Sequence, residues 1–418
     1  MRRERTFKKT LLFLAIMSVM IFAMSITASA AATNIKQTDS SKTSVSISWD
    51  GTNISDRYVV YWSKTENGTY SEVSSYVSTS KTKYIGGLNA GTTYYLQVAS
   101  YANGKNLYAM SAPIQVVTTP ESVDYSTIKQ TAGTSKSVTV AWGKSAGATG
   151  YLVSKDNGAS TAIAKNSVTM SAKPGQKYSL TIAAFKKAPK TGYVATAYKT
   201  TRSSFRSAPS TPMYYADGAR GYLDWKPTNK SKSYPTMSWK DNPNDYLSPD
   251  GYQIEVYTVD GKKKISTATV KTRSVSITSA KNNALIRNRG FRTRIRAYIK
   301  VDKAVCYSNW SAIRVIVPQA ATKITATSHS SVRVTWPKVA NATKYIIYVS
   351  RDVKSNGSGH WTNARLSAST TSFNIRGLTK NKDFGVYVIP VVKIGGKYYK
   401  AAQTWYCLLY TSPSPRDG

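Results

Sequence analysis

The sequence predicts an all-β protein of four tandem β-sandwiches, and three observations carry that prediction. Tryptophan recurs at Trp49, Trp142, Trp239 and Trp336, at intervals of 93, 97 and 97 residues. Each closes a run in which apolar residues alternate with small or polar ones: Val45, Ile47, Trp49; Val138, Val140, Trp142; Met237, Trp239; Val332, Val334, Trp336. A period of two sends alternate side chains to opposite faces, so each run reads as a strand with one buried face. Turn-forming pairs, among them Asn67 and Gly68, Asn103 and Gly104, and Asp260 and Gly261, punctuate the strands. Apolar spacings of three and four are scarce beyond the N-terminal segment, which argues against helices.

Two further landmarks mark each repeat. Tyr58, Tyr151 and Tyr345 follow their tryptophans by nine residues and open the next strand, while Tyr252 follows after a longer stretch. An apolar position then precedes an aromatic by six residues, in Leu88 to Tyr94, Ala172 to Tyr178, Leu285 to Phe291 and Leu378 to Phe384, with Gly91 and Gly175 inside the first two turns. An aromatic there anchors the corner between two sheets, and glycine supplies the backbone freedom of the turn.

These residues resemble the fibronectin type III pattern, in which leucine, glycine and an aromatic lead into the penultimate strand. The resemblance covers nearly all of the chain after its N-terminal segment and implies four tandem immunoglobulin-like (fibronectin type III-like) β-sandwiches. Departures are Phe291 and Phe384, which lack a corner hydroxyl, the undersized Ala172, and the long stretch between Trp239 and Tyr252. Prolines at Thr118 to Pro120, Pro209 to Pro212 and Val317 to Gln319 set the expected boundaries, giving modules 31–119, 120–212, 213–318 and 319–406. Such short linkers are expected to make a stiff rod.

The ends of the chain have their own signatures. Arg2, Arg3, Arg5, Lys8 and Lys9 precede an uncharged apolar run from Leu11 to Ile26, which closes on Ala28, Ser29 and Ala30. Basic start, short apolar stretch and small-residue site are the parts of a secretory signal peptide, expected over 1–30 and leaving no membrane span once cleaved. At the other end, Cys407 to Asp417 is identical to a reading frame of a common sequencing adapter. Residues 407–418 are therefore expected to be an artefact, the gene truncated near Tyr406, and the fourth module left without its last strand. That leaves Cys306 as the one natural cysteine, expected to be a small buried hydrophobe, so the modules must fold by apolar burial without disulfides.

Catalytic chemistry finds little support. Glycan hydrolysis wants two placed carboxylates, and after residue 30 the glutamates are only Glu66, Glu72, Glu121 and Glu255. Asp241, Asp245 and Asp250 are the densest acids. A weak calcium loop and a solvated, proline-rich insertion are both open readings of them, and the insertion is favoured because the spacing does not match an EF-hand. His329 and His360 lack companions at metal-ligand spacing and read as surface residues. No phosphate-binding glycine loop and no nucleophile motif is present. Asn53, Asn67, Asn229, Asn309 and Asn341 begin N-x-S/T triplets that read as chance matches. No metal, cofactor or enzyme activity is expected.

Charge is the informative feature. The formal net charge is +38. Lys and Arg exceed Asp and Glu by 2 in residues 31–119, but by 10, 11 and 11 in 120–212, 213–318 and 319–406. A uniform solubility bias would not leave one module out, so the last three are expected to face something anionic. The run from Phe291 to Lys300 alternates throughout, placing Phe291, Thr293, Ile295, Ala297 and Ile299 toward the core and Arg292, Arg294, Arg296 and Lys300 together on the outer face. That row is the candidate polyanion-binding site, with acids on neighbouring strands as the competing explanation. The expectation is a secreted bacterial adhesion or spacer protein, extracellular and wall-associated. Its partner would be an anionic polysaccharide or teichoic acid-like polymer, with no specific nucleic acid partner. The alternative is a set of accessory modules of a larger secreted glycan- or wall-degrading hydrolase.

Overall fold

The structure is a computed structural model that describes residues 31–51, 57–73, 79–102, 106–214, 236–277, 289–320, 322–354, 357–379, 382–401 and 407–409. The expected signal peptide, Asn53, Asn229, the turn at Asn103 and Gly104, Leu285, Tyr406 and residues 410–418 lie outside the described residues. Two compact units are present. One comprises Met1–Thr131, Thr139–Met170 and Tyr178–Phe205, the other Ala132–Val138, Ser171–Lys177 and Arg206–Gly418.

The all-β expectation holds. The described residues form four three-stranded and four five-stranded sheets, with one 3-10 turn, Tyr125–Thr127, capped by the Asp124 carboxylate. In the first repeat the strands Thr33–Ser40, Val45–Asp50 and Thr82–Ile85 make the smaller sheet. The larger one holds Ser71–Glu72, Arg57–Ser63, Thr93–Ala102 and Asn106–Met110, with Ile114–Val117 also paired to Thr93–Ala102. Val45, Ile47, Trp49 and Ile85 of the first pack on Tyr58, Val60, Tyr94, Leu96 and Val98 of the second, which makes the pair a sandwich. The same arrangement returns around Trp239 with Tyr252, Ile254, Phe291 and Ile295, and around Trp336 with Tyr345, Ile347, Phe384 and Val386.

The tryptophan and the tyrosine after it meet inside every sandwich. Ring centroids lie 5.5 Å apart for Trp49 and Tyr58, 5.3 Å for Trp142 and Tyr151, 5.3 Å for Trp239 and Tyr252, and 5.6 Å for Trp336 and Tyr345. The tyrosine hydroxyl accepts from the loop before it, Ser145 N to Tyr151 at 3.0 Å and Val339 N to Tyr345 at 2.8 Å. The longer third loop replaces that contact with an acid, since the Tyr252 hydroxyl donates to the Asp241 carboxylate. At the corner, Tyr94 accepts from Asn89 N at 2.9 Å, whereas Phe291 and Phe384 keep the burial without the hydrogen bond.

Residues at or just beyond the ends of last strands are also buried. Val117 packs on Ala188 and Ala195 in the first unit. In the second, Ala208 meets Ile299, Val301 and Cys306, and Val317 meets Ile389, Val391, Val392 and Ala401. Cys306 is thus a buried apolar side chain, as its isolation in the sequence implied.

One expectation needs correction. The fourth repeat was to lack its last strand, yet Cys407–Leu409 pairs with Gly385, Phe384 and Asp383 of the strand Asp383–Ile394. Backbone N–H and C=O groups along that edge need partners whatever side chains supply them, so an extended segment within reach completes the sheet.

Glycine is required at Gly91 for two reasons. Its φ is +58°, and a Cβ there would lie 2.6 Å from the Gly147 Cα and 2.8 Å from the Ala146 carbonyl oxygen. Gly192 shares the left-handed conformation, at +75°, with open space around it. Gly192→Ala should therefore cost only the conformational strain, about 1–2 kcal/mol, while Gly91→Ala should cost clearly more, because backbone must also move. Denaturant midpoints of the two variants check this, and equal losses would rule out the close approach.

Candidate functional site

The basic row lies on the strand Phe291–Val301, whose burial alternates from Phe291 to Ala297 and then breaks at Tyr298, an outer-face position that is also buried. Phe291, Thr293, Ile295, Ala297 and Ile299 are all inside. The first, third and fourth of these join the Trp239 core, while Ile299 belongs to the cluster with Ala208 and Cys306. Arg292, Arg294 and Arg296 are half-buried on the other face and Lys300 is exposed.

The neighbouring strand Gly251–Thr258 lays Tyr257, Glu255 and Gln253 opposite Arg292, Arg294 and Arg296. Cross-strand partners on one face are close enough to bond directly. Arg294 meets Glu255, with Nε to Oε2 at 2.8 Å and Nη2 to Oε2 at 2.6 Å, and it also donates to the Tyr257 hydroxyl at 3.2 Å. Arg296 instead finds a neutral amide, donating Nε and Nη2 to Gln253 Oε1 at 2.8 and 2.6 Å. Arg292 donates Nε to the Val259 carbonyl at 2.6 Å and lies over Gly261, whose missing side chain leaves it room.

Aromatic rings separate the guanidinium groups. Arg294 lies 5.7 Å from the Tyr257 ring centroid and 4.4 Å from that of Trp310. Arg296 lies 4.4 Å from Trp310 and 3.7 Å from Tyr307. Trp310 therefore contacts two cations, and each such contact contributes about 0.5–2 kcal/mol according to its exposure. Two serines fix the ring in place. Ser308 bonds to Ala297 through both its N–H, at 2.9 Å, and its hydroxyl, at 3.0 Å, and Ser311 treats Ile295 the same way at 2.7 and 3.0 Å. These hydroxyls continue the ladder where the chain leaves the strand Ala304–Tyr307. Sequence reasoning named the cations but missed Trp310, Tyr307, Tyr257 and Gln253. The available signal was Ser308 and Ser311 flanking Trp310 at a spacing of three.

The competing explanation for the row, an acid on a neighbouring strand, is met at Arg294 alone among the described residues. Glu255 is 8% exposed, and burial pushes its carboxyl pKa up. The hydrogen bonds from Tyr257 and Arg294 outweigh that, so the net shift is below the ordinary glutamate value. For Arg294 burial works against the charge, and the bond to Glu255 still leaves its pKa raised. Among the described residues, Arg294 is the one member of the row with an ion pair.

The remaining candidates are structural. Asp241 pairs with Arg273 as well as Tyr252. Asp245 accepts from the Ser210 N–H at 2.7 Å and hydroxyl at 2.6 Å, and Asp250 pairs with Arg206 at 3.1 Å and accepts from Lys300 N at 2.6 Å. The insertion thus anchors the segment from Arg206 to Ser210. His329 and His360 are exposed. Among the described residues, no three His, Cys, Asp or Glu side chains converge as a metal site would need. No described helix is long and apolar enough to cross a membrane.

Comparison with known proteins bears on the fold. The family model described as "Fibronectin type III domain" matches residues 30–117. No curated protein matches the chain. Among solved structures, the chain is similar to the FN1-FN3 domains of chicken CNTN1, with 11% identity, 91% of this chain and 99% of that one covered, and a TM-score of 0.20. It is also similar to a two-domain fibronectin type-III segment of chicken tenascin, with 19% identity, 42% and 99% covered, and a TM-score of 0.26.

Glu255 gives a direct test of the site's architecture. Glu255→Gln should destabilise the third sandwich by about 1.5–3 kcal/mol at neutral pH, the usual worth of a hydrogen bond to a charged group. Its pKa is depressed on folding, so the stabilisation is complete above the unfolded value of about 4.3 and is lost as pH falls through the lower folded value. Melting curves should therefore separate wild type and variant at pH 7 and converge in the acid range. A gap that persists unchanged below pH 3 would contradict the ion pair.

Proposed function

We propose that this protein is a secreted, non-catalytic array of four modules, 31–119, 120–212, 213–318 and 319–406, that acts as an adhesive spacer at a bacterial surface. Its basic modules hold it to an anionic wall or matrix polymer, a teichoic acid-like chain or an acidic polysaccharide. The observation that carries this reading is the distribution of charge. The cationic surplus is 2 in the first module and 10, 11 and 11 in the next three. A linear polyanion bound by many such cations releases counterions, so affinity grows with the number of contacts and falls with salt.

The face that bears Arg292, Arg294, Arg296 and Lys300 supports the same reading, since one glutamate sits among three arginines there. An ordinary solvated face would intersperse acids more evenly, because like charges side by side destabilise a sheet. Aromatic stacking offsets part of that cost without removing the charge.

The test compares the full chain with residues 31–119 on immobilised teichoic acid and heparin across a salt series. The full chain should bind at about 0.15 M salt, with log affinity falling linearly in log salt, and the first module alone should pass through. Retention of both, or of neither, would refute the assignment of binding to the basic modules.

A further inference from the structure

We infer that the third sandwich holds a linear polyanion through Arg292, Arg296 and Lys300, cations four residues apart, and that Arg294 is a positioning residue that does not touch the ligand. This rests on the polyanion reading above and narrows it to a site with a spacing.

The four cations share one face of the strand Phe291–Val301 but differ in how much charge they offer. Arg294 spends its Nε and Nη2 on Oε2 of Glu255, whose other oxygen meets Lys264 at 3.4 Å. An incoming anion there would meet that carboxylate, and repulsion of the wrong contact is as much a part of selectivity as attraction of the right one. Arg296 is bonded to an uncharged amide and keeps its full charge. Tyr307 and Trp310 both lie against it before any ligand arrives. Arg292 is held through Nε by the Val259 carbonyl and has no acid bonded to it among the described residues. The nearest acid of its turn, Asp260, accepts from the Thr258 hydroxyl and from Lys262 N. Lys300 is exposed, its ammonium 5.8 Å from the Tyr298 ring centroid. Preset guanidinium groups lose less conformational freedom on binding, which favours affinity without new contacts.

Four strand residues span about 13 Å. A polymer with oxyanions about 7 Å apart would contact this row at every second unit, the unit between lying over the Arg294–Glu255 pair. The ligand's chemistry is set by its oxyanions alone. Trp310 already lies against two of the chain's own cations and Tyr307 against Arg296, so these rings are engaged before a base could stack on them.

The experiment measures binding of the full chain to long-chain polyphosphate, heparin and poly-L-glutamate across a salt series, which separates phosphate, sulfate and carboxylate as the oxyanion. The double variant Arg292→Gln and Arg296→Gln should lose about tenfold or more in affinity for the preferred polymer, and its slope of log affinity against log salt should fall by about 1.5–2. The charge-matched double variant Lys240→Gln and Lys271→Gln, which leaves the row intact, should lose less than a third as much. Arg294→Gln should lower the melting temperature of the third sandwich while changing the slope by less than about 0.5. Equal losses in the two double variants would overturn the site. So would an Arg294→Gln variant that melts normally yet loses half as much slope as the Arg292 and Arg296 double variant, or more. If wild type binds none of the three polymers even at low salt, the polyanion reading itself falls; if it binds but the row variants match the control, only this site does.

Discussion

The contact between a tryptophan and the tyrosine that opens the next strand, edge-on in three repeats and tilted in the fourth, is the interaction on which each sandwich depends. It joins the smaller sheet to the larger one at centroid distances of 5.3–5.6 Å in all four repeats. Aromatic pairs in this geometry contribute about 0.5–1.5 kcal/mol beyond the area they bury. The arrangement has a cost, because the indole N–H of Trp49, Trp142, Trp239 and Trp336 is buried without a hydrogen-bond acceptor among the described residues. Unpaired burial of such a group costs about 1–3 kcal/mol. The rings therefore earn their place through the volume they fill and the position in which they hold the two sheets.

Once the inner face is set, the outer face of the same strand is free to vary. The first, third and fifth positions after the corner aromatic are Tyr95, Gln97 and Ala99 in the first repeat, and Ser179, Thr181 and Ala183 in the second. They become Arg292, Arg294 and Arg296 in the third, and Gly385, Tyr387 and Ile389 in the fourth. The fourth makes a different use of the space, with Trp361 tilted against Tyr387 at 5.0 Å and lying so close to Gly385 that a Cβ would come within 2.5 Å of its ring. One scaffold thus presents neutral, small, cationic and aromatic surfaces in turn, which is how a repeated sandwich can carry different contacts without altering its core.

Acids are few, and their placement follows from that scarcity. Glu121 pairs with Lys42, Glu66 with Lys190, Asp250 with Arg206, and Asp245 binds Ser210. Each ties together segments far apart in sequence. Exposed ion pairs contribute little singly. Their value here is positional, alongside apolar contacts such as Ala208 with Ile299, Val301 and Cys306.

Period-two alternation by itself determined which residues from Phe291 to Ala297 are buried, because a one-residue error would put arginines in the core, but it did not mark Tyr298, which is buried on the outer face. The recurrence of Trp49, Trp142, Trp239 and Trp336 likewise determined the number of sandwiches, and local turn chemistry their all-β character. Tertiary structure decided what the outer row can offer. Glu255 stands 39 residues before Arg294 in the chain and Gln253 stands 43 before Arg296, and only strand pairing makes them neighbours. Register therefore chose which guanidinium is neutralised and which is merely oriented. Trp310 reached its place against both through Ser308 and Ser311, whose hydroxyls bond to backbone that no local pattern identifies. Composition and alternation are local properties that a single strand expresses, whereas the charge a site presents depends on partners brought from other strands.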